Sequence, residues 1–282
     1  MQFSHPRHDV HVPDGLDPRD ALIRTTHLAI AAHQDDIEIM AYHGIAECYD
    51  SKDKWFSGVV VTNGAGSPRA GAFAQYTDEQ MQDIRRREQR KAADIGKYSI
   101  QLQLAHPSGA VKDPQRNDVR ADLRKILEIA LPKVVYLHNP ADKHDTHVAV
   151  FLRGIEALRS LPAAERPEKV YGCEVWRDLD WLLAEDKRAL AVNARPELAT
   201  ALLEVFESQI AGGKRYDLAA VGRRLANATF AESHATDTVN ALTWAMDLTP
   251  LLVDNSLDPT QFTLAHLDRL KADVAQRLQR FS

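Results

Sequence analysis

The stretch Thr26-His27-Leu28-Ala29-Ile30-Ala31-Ala32-His33-Gln34-Asp35-Asp36-Ile37-Glu38 decides the fold. A short apolar run, of the kind buried in a parallel sheet, stops at a histidine followed by two carboxylates. Apolar residues then recur at helical spacing, at Ile37, Met40, Ala41, Gly44, Ile45 and Cys48. The stretch reads as a strand over about 26–32 and a helix over about 36–49. In an open α/β sheet, ligands bind where strands end and helices begin. His33 and Asp36 are three residues apart, so one turn brings imidazole and carboxylate together. Asp35, between them, can point elsewhere.

The same alternation continues outward. Trp55–Thr62 is a second strand. It ends in Asn63-Gly64-Ala65-Gly66-Ser67-Pro68-Arg69, whose glycines let backbone N–H groups approach a ligand. That loop matches neither the dinucleotide nor the P-loop fingerprint. Thr77 and Gln80 form a capping box opening a helix that runs to about Ile95, with Gly96 as its stop. Its basic run (Arg85, Arg86, Arg87, Arg90, Lys91) reads mostly as a solvated face. A third strand over Ser99–Leu104, a helix over 118–130 and a fourth strand over Lys133–Leu137 follow. The fourth strand runs into His138-Asn139-Pro140-Ala141-Asp142-Lys143-His144-Asp145-Thr146-His147, a second polar cluster at a strand-to-helix switch. Lys169–Val175 is a fifth strand, and helices are expected over 196–211, 216–228, 240–253 and 260–281. The pattern predicts an α/β protein: a parallel sheet with helices on both faces and a helical C-terminal cap. One domain spans 1–282, with an N-terminal arm over 1–20, a core over about 21–175 and a helical part over about 176–282.

The 282 residues are 44% hydrophobic and 27% charged, which suits an ordinary packed core. A net charge of -5 argues against a general nucleic-acid or anionic-membrane binder. No run approaches a membrane span, and Met1–Pro6 has no signal-peptide character. Cys48 and Cys173 lack CxxC spacing and read as buried thiols of a reducing compartment, with one disulfide left open. The expectation is a cytoplasmic enzyme acting on a small molecule, with neither nucleic acid nor membrane as partner. A homo-oligomer is left open.

Placed side by side, the two strand ends supply His33, Asp35 and Asp36 from one and Asp142, His144, Asp145 and His147 from the other. Two histidines and a carboxylate with open positions for water form a catalytic zinc set, and nitrogen and oxygen ligands without cysteine also suit Fe(II) or another divalent ion. The expected metal ligands are His33, Asp36 and His147. Asp35 is the expected general base, and His144 the group that stabilises the oxyanion or protonates the leaving amine. The competing reading makes the carboxylates helix caps, and Asp145 reads as the N-cap of the following helix or a supporting partner of the ligands.

At these residues the chain resembles the PIG-L / LmbE-like family of metal-dependent N-deacetylases. The family motif A-H-P-D-D-E reads here Ala32-His33-Gln34-Asp35-Asp36-Ile37, and D-x-H-x-D-H reads Asp142-Lys143-His144-Asp145-Thr146-His147. Thr62-Asn63-Gly64, Arg85-x-x-Glu88 and Ser208-Gln209 extend the resemblance, which spans roughly 26–233. It implies a Rossmann-like fold and hydrolysis of the N-acetyl group of an N-acetylglucosamine-type sugar or conjugate. It also implies zinc on His33, Asp36 and His147, Asp35 as base and His144 as partner of the reacting groups. Arg85 is then expected to reach a substrate oxygen or a site carboxylate. Asn63, Trp176 and His234 are expected to face substrate. Gln34, Ile37 and Thr146 depart from the motifs, and Gln34 is expected to add an amide to the rim. Two other readings compete: a Rossmann-like sugar-phosphate or nucleotide enzyme using the Asn63–Arg69 loop, and a metal- and sugar-binding module without chemistry.

Overall fold

The computed structural model describes residues 1–282. Along the chain come β1 (Asp9–His11), α1 (Pro18–Ile23), β2 (His27–Ala31), α2 (Asp36–Met40), α3 (Tyr42–Cys48) and β3 (Phe56–Thr62). They are followed by α4 (Asp78–Gly96), β4 (Ile100–His106), α5 (Ser108–Lys112), α6 (Asp118–Ala130), β5 (Val134–His138) and α7 (Asp145–Arg159). The remainder is β6 (Lys169–Cys173), β7 (Lys187–Ala191), α8 (Pro196–Glu204), α9 (Glu207–Ala211), α10 (Tyr216–Thr229), β8 (Leu242–Asp247), α11 (Pro250–Val253) and α12 (Pro259–Phe281). No helix is long and apolar enough to cross a membrane.

The eight strands form one sheet in the order β1-β4-β3-β2-β5-β6-β8-β7. From β4 to β6 neighbouring strands are parallel. The chain winds outward from β2 through β3 to β4 on one side, and from β5 to β6 on the other. Strand order therefore reverses between β2 and β5, and a crevice opens there at the strands' carboxyl ends. Both sequence clusters leave from those two ends.

Alternation along β2 separates the two layers of core. Leu28 and Ile30 join Val59, Leu102 and Val135 on the face covered by α1, α6 and α7. Ala29 and Ala31 join Val60, Tyr136 and the residues of α2, α3 and α8 on the other. Every residue of β2 is buried, as a central parallel strand requires.

Four expectations need correction. The arm over 1–20 is not merely extended: β1 pairs antiparallel with β4, and Asp9 holds Arg90 of α4. The part after 176 is not all helix, because β8 lies antiparallel to β6 and β7 antiparallel to β8. The 240–253 segment is thus the strand β8 followed by the short helix α11, and 196–211 is two helices. The helix over 36–49 is broken at Ala41. Arg224 of α10 donates to the Glu38 and Ile39 carbonyls at 2.7 and 3.1 Å, taking the acceptors a continuous helix would use for its next turn. The Thr77–Gln80 capping box forms as read. The left-handed residue that ends α4 is however Lys97, and Gly96 is required because a Cβ there would lie 2.4 Å from the Tyr98 ring.

Candidate active site

The turn after β2 and the first turn of α7 bring three ligand-type atoms together. The His33 backbone N–H donates to Asp36 Oδ2 at 2.8 Å, fixing the carboxylate beneath the start of α2. Asp36 Oδ2 then lies 3.2 Å from His33 Nδ1 and 3.3 Å from His147 Nε2, and the two ring nitrogens are 3.1 Å apart. Ligands about 2.0–2.2 Å from a tetrahedral ion are separated by roughly 3.3–3.5 Å. The three atoms therefore form one face of such a site almost without movement. Behind them, Asp142 Oδ2 lies 3.4 Å from His147 Nδ1 and accepts the Trp176 N–H, so it orients the ring from the far side.

Two further histidines crowd the centre, and either could join a metal-holding group with His147. His138 was quoted in the sequence without a role. It stacks on His147 with ring centroids 3.9 Å apart, but its Nε2 accepts the Ala32 N–H at 2.9 Å and has no lone pair left for an ion. His144 caps α7, with Nδ1 accepting the Thr146 N–H at 3.2 Å, and leaves Nε2 toward the cleft. The helix is therefore capped by His144 rather than Asp145. The cap also explains why Thr146 suffices where the resembling motif has a carboxylate: the backbone N–H of Thr146 holds the ring.

Asp35 has φ +87°, a left-handed conformation costly for any residue but glycine. Its N–H donates to Gln89 Oε1 at 3.2 Å, and Arg85 Nη2 donates to its Oδ2 at 2.9 Å. Arg85 is 1% exposed, and its other nitrogen reaches Glu88. Glu88 is in turn gripped by Ser208, through the backbone N–H at 2.7 Å and the hydroxyl at 2.8 Å. A chain of contacts thus runs from α9 through Ser208, Glu88 and Arg85 to Asp35. Gln89 adds a second support: it donates to Glu38, which also accepts from Tyr98.

Burial raises the Asp35 carboxyl to about 7; Arg85 opposes the shift and the Asp36 charge adds to it. Asp36 moves the other way, because His147, His33 and His138 outweigh its burial. Two neighbouring carboxyls are thereby driven apart, one held as an anion and one poised to exchange a proton near neutrality. Burial, with His33 and His147 adding, pushes His144 down to about 4, so it is neutral at pH 7.

These groups open into a cleft of about 460 Å³. His33, Asp35, Asp36, Arg85, His144 and Trp176 line it. Thr146 and Gln209, quoted with the motifs but given no site role, line it too, as do Lys214 and Tyr216, which were not singled out from the sequence. His147 lies fully buried behind the ligand atoms. Asn63 turns its carboxamide oxygen back onto the Ala65 N–H, and His234 is exposed between α10 and β8; neither lines the cleft. Gln34 is 2% exposed and donates to Gln103, so it lies beneath the site rather than on its rim.

Residues 28–158 match the family model described as PIG-L: GlcNAc-PI de-N-acetylase. No curated protein sequence matches the chain. Among solved structures, the chain is similar to N,N'-diacetylchitobiose deacetylase from Pyrococcus horikoshii, with a TM-score of 0.64, 16% identity and coverage of 82% of this chain and 86% of that one. The A40926 pseudoaglycone deacetylase Dbv21 aligns with a TM-score of 0.58 and 15% identity, over 79% of this chain and 97% of that one. GalB, the 4-carboxy-2-hydroxymuconate hydratase from Pseudomonas putida, aligns with a TM-score of 0.57 and 16% identity, over 79% and 96%. At such identities these likenesses establish the fold.

Proposed function

We propose, from the match of residues 28–158 to the PIG-L family model, that the chain is a metal-dependent amidohydrolase removing the N-acetyl group of an N-acetylglucosamine-type sugar or conjugate. The observation that carries the reading is the triangle of His33 Nδ1, Asp36 Oδ2 and His147 Nε2, 3.1–3.3 Å on a side, with the Asp35 carboxyl in the same cleft. His33, Asp36 and His147 would hold the ion, with zinc the proposed species because two imidazoles and one carboxylate leave a position open. A divalent ion there supplies Lewis acidity toward the amide carbonyl and lowers the pKa of a water it binds.

The remaining steps belong to the chain's own side chains. Asp35 accepts a proton from the attacking water and returns it to the departing amine. Arg85 keeps the Asp35 carboxylate aimed and limits how far its pKa rises. His144, neutral and with Nδ1 occupied by the Thr146 N–H, presents Nε2–H as a donor to the oxygen that becomes negative. Trp176 and Tyr216, edge to face at a centroid distance of 6.1 Å, form a wall against which a sugar face can stack. The action is proposed to be cytoplasmic.

The test is release of acetate and free amine from N-acetylglucosamine and N,N'-diacetylchitobiose by metal-loaded protein. The reading predicts release that His147→Ala abolishes. The hydratase among the structural neighbours supplies a second reading, addition of water to a carbon–carbon double bond. Loss of an unsaturated acid's ultraviolet absorbance without any amine release would favour it.

A further inference from the structure

A second cavity, of about 200 Å³, lies beside the cleft between α10 and the ends of β6 and β8. Four of its lining residues, Ile39, Val175, Trp176 and Tyr216, also line the cleft, so the two share a wall. That wall is tied to the metal-holding group: Ile39 lies three residues beyond Asp36, and the Trp176 N–H donates to Asp142. The helix closing the cavity, α10, presents Tyr216, Ala219 and Ala220 to it at its N-terminal end and Arg223, Arg224 and Asn227 further along.

The charged groups and Asn227 around the cavity are already engaged. Glu174 accepts from the Leu179 N–H at 3.0 Å through one oxygen, and from the Trp244 N–H and Asn227 at 3.0 and 2.8 Å through the other. Arg223 donates to the Val175 carbonyl, and Arg224 to the carbonyls of Glu38 and Ile39. The two Arg224 nitrogens without a partner, Nε and Nη1, have no accessible surface and so do not touch the cavity. What faces the space is mainly hydrocarbon: Ile39, Val175, the two alanines, aromatic rings and arginine stems.

We propose that this cavity is a substrate subsite for a saturated hydrocarbon chain that reaches it from the reacting amide past Ile39, Val175, Trp176 and Tyr216. The proposal rests on the deacylation reading and names the substrate class more closely. At about 30 Å³ per water-sized unit, the space takes on the order of six such units, or a chain of about six carbons. The chain has two sources, a longer N-acyl group or an alkyl aglycone.

Two substrate series separate them on zinc-loaded protein: glucosamine N-acylated with two- to eight-carbon chains, and alkyl glycosides of N-acetylglucosamine from methyl to octyl. Each buried methylene is worth about fourfold in kcat/KM. One series is expected to climb by about that factor per carbon to about six carbons and then level. Climbing in the first assigns the cavity to the acyl group, and in the second to the aglycone. Ala219→Phe, on the exposed side of α10, fills the cavity, and Ala220→Val fills it less. Values normalised to the shortest substrate are expected to flatten fully in the first variant and partly in the second. Flat profiles in both wild-type series, or a climb that survives Ala219→Phe, overturn the proposal while leaving deacylation standing. If no substrate is hydrolysed, calorimetric binding of the same alkyl glycosides decides. Affinity that rises with chain length and falls in Ala219→Phe upholds the cavity although the deacylation reading fails, and absence of such dependence ends both.

Discussion

Asp35 concentrates the chemistry in one residue. Its backbone is left-handed, its carboxyl is buried against Arg85, and its pKa stands near 7. Asn keeps the shape and the metal ligands but cannot accept a proton. Asp35→Asn is therefore expected to lower kcat by about 10²–10⁴, with bound metal unchanged. Steady-state amine release beside elemental analysis checks it, and full turnover in a metal-loaded variant would remove Asp35 from the role of base. A second residue carries a pH signature far from the cleft. Burial, aided by Lys54 and His43 and opposed by Glu47, pushes His27 down to about 4. A base with a depressed folded pKa binds more protons when unfolded, so its contribution is present above about 6.5 and is lost as pH falls toward 4. Urea denaturation at pH 7 and pH 4.5 is expected to show wild type losing roughly 1–3 kcal/mol more than His27→Gln.

Among the elements, α4 and the loop before it do more than cover the sheet. The basic run of α4 is partly solvated as its pattern suggests, but Arg85 turns inward between Asp35 and Glu88. Replacing it by Met leaves two buried carboxylates without their cation. A loss of roughly 3–5 kcal/mol is expected in urea unfolding, together with loss of activity. Gly64 has φ +72°, and a Cβ there would lie 2.6 Å from Gln34 Oε1 and 3.2 Å from Arg85. Gly64→Ala is expected to cost about 1–3 kcal/mol and to disturb Arg85, so that kcat falls more than the Tm alone would suggest. The capping box and the glycine-rich composition placed these two elements, but neither carries information on which arginine of a basic helix points inward. That choice is made by Ser208 and Glu88, residues separated by more than a hundred positions.

Across the whole molecule, the strand-to-helix boundaries were the legible part. Buried parallel strands announce themselves as apolar runs, and the polar clusters after β2 and β5 mark the sheet's carboxyl edge. What the pattern left out lies where strands are short or contacts distant. Neither β7 nor β8 has the continuous apolar run of β2, and each is fixed by antiparallel pairing at the sheet edge. The broken helix after Asp36 depends on Arg224, and no local signal foretells it. His138 was hidden because its role, accepting the Ala32 N–H, exists only once β2 and β5 are neighbours. The long α12 has no buried residue. Removing residues 275–282 is therefore expected to shift the Tm by less than about 2 °C in a thermal melt.

Everything proposed for the cleft requires that His33, Asp36 and His147 hold one ion together. Elemental analysis of purified, untagged protein after zinc reconstitution and dialysis, with wild type beside His147→Ala and Asp36→Asn, tests this most directly. About one zinc per chain in wild type, lost in both variants while their circular dichroism stays native, is the predicted result. Wild type without metal, or variants that retain it in full, would contradict it.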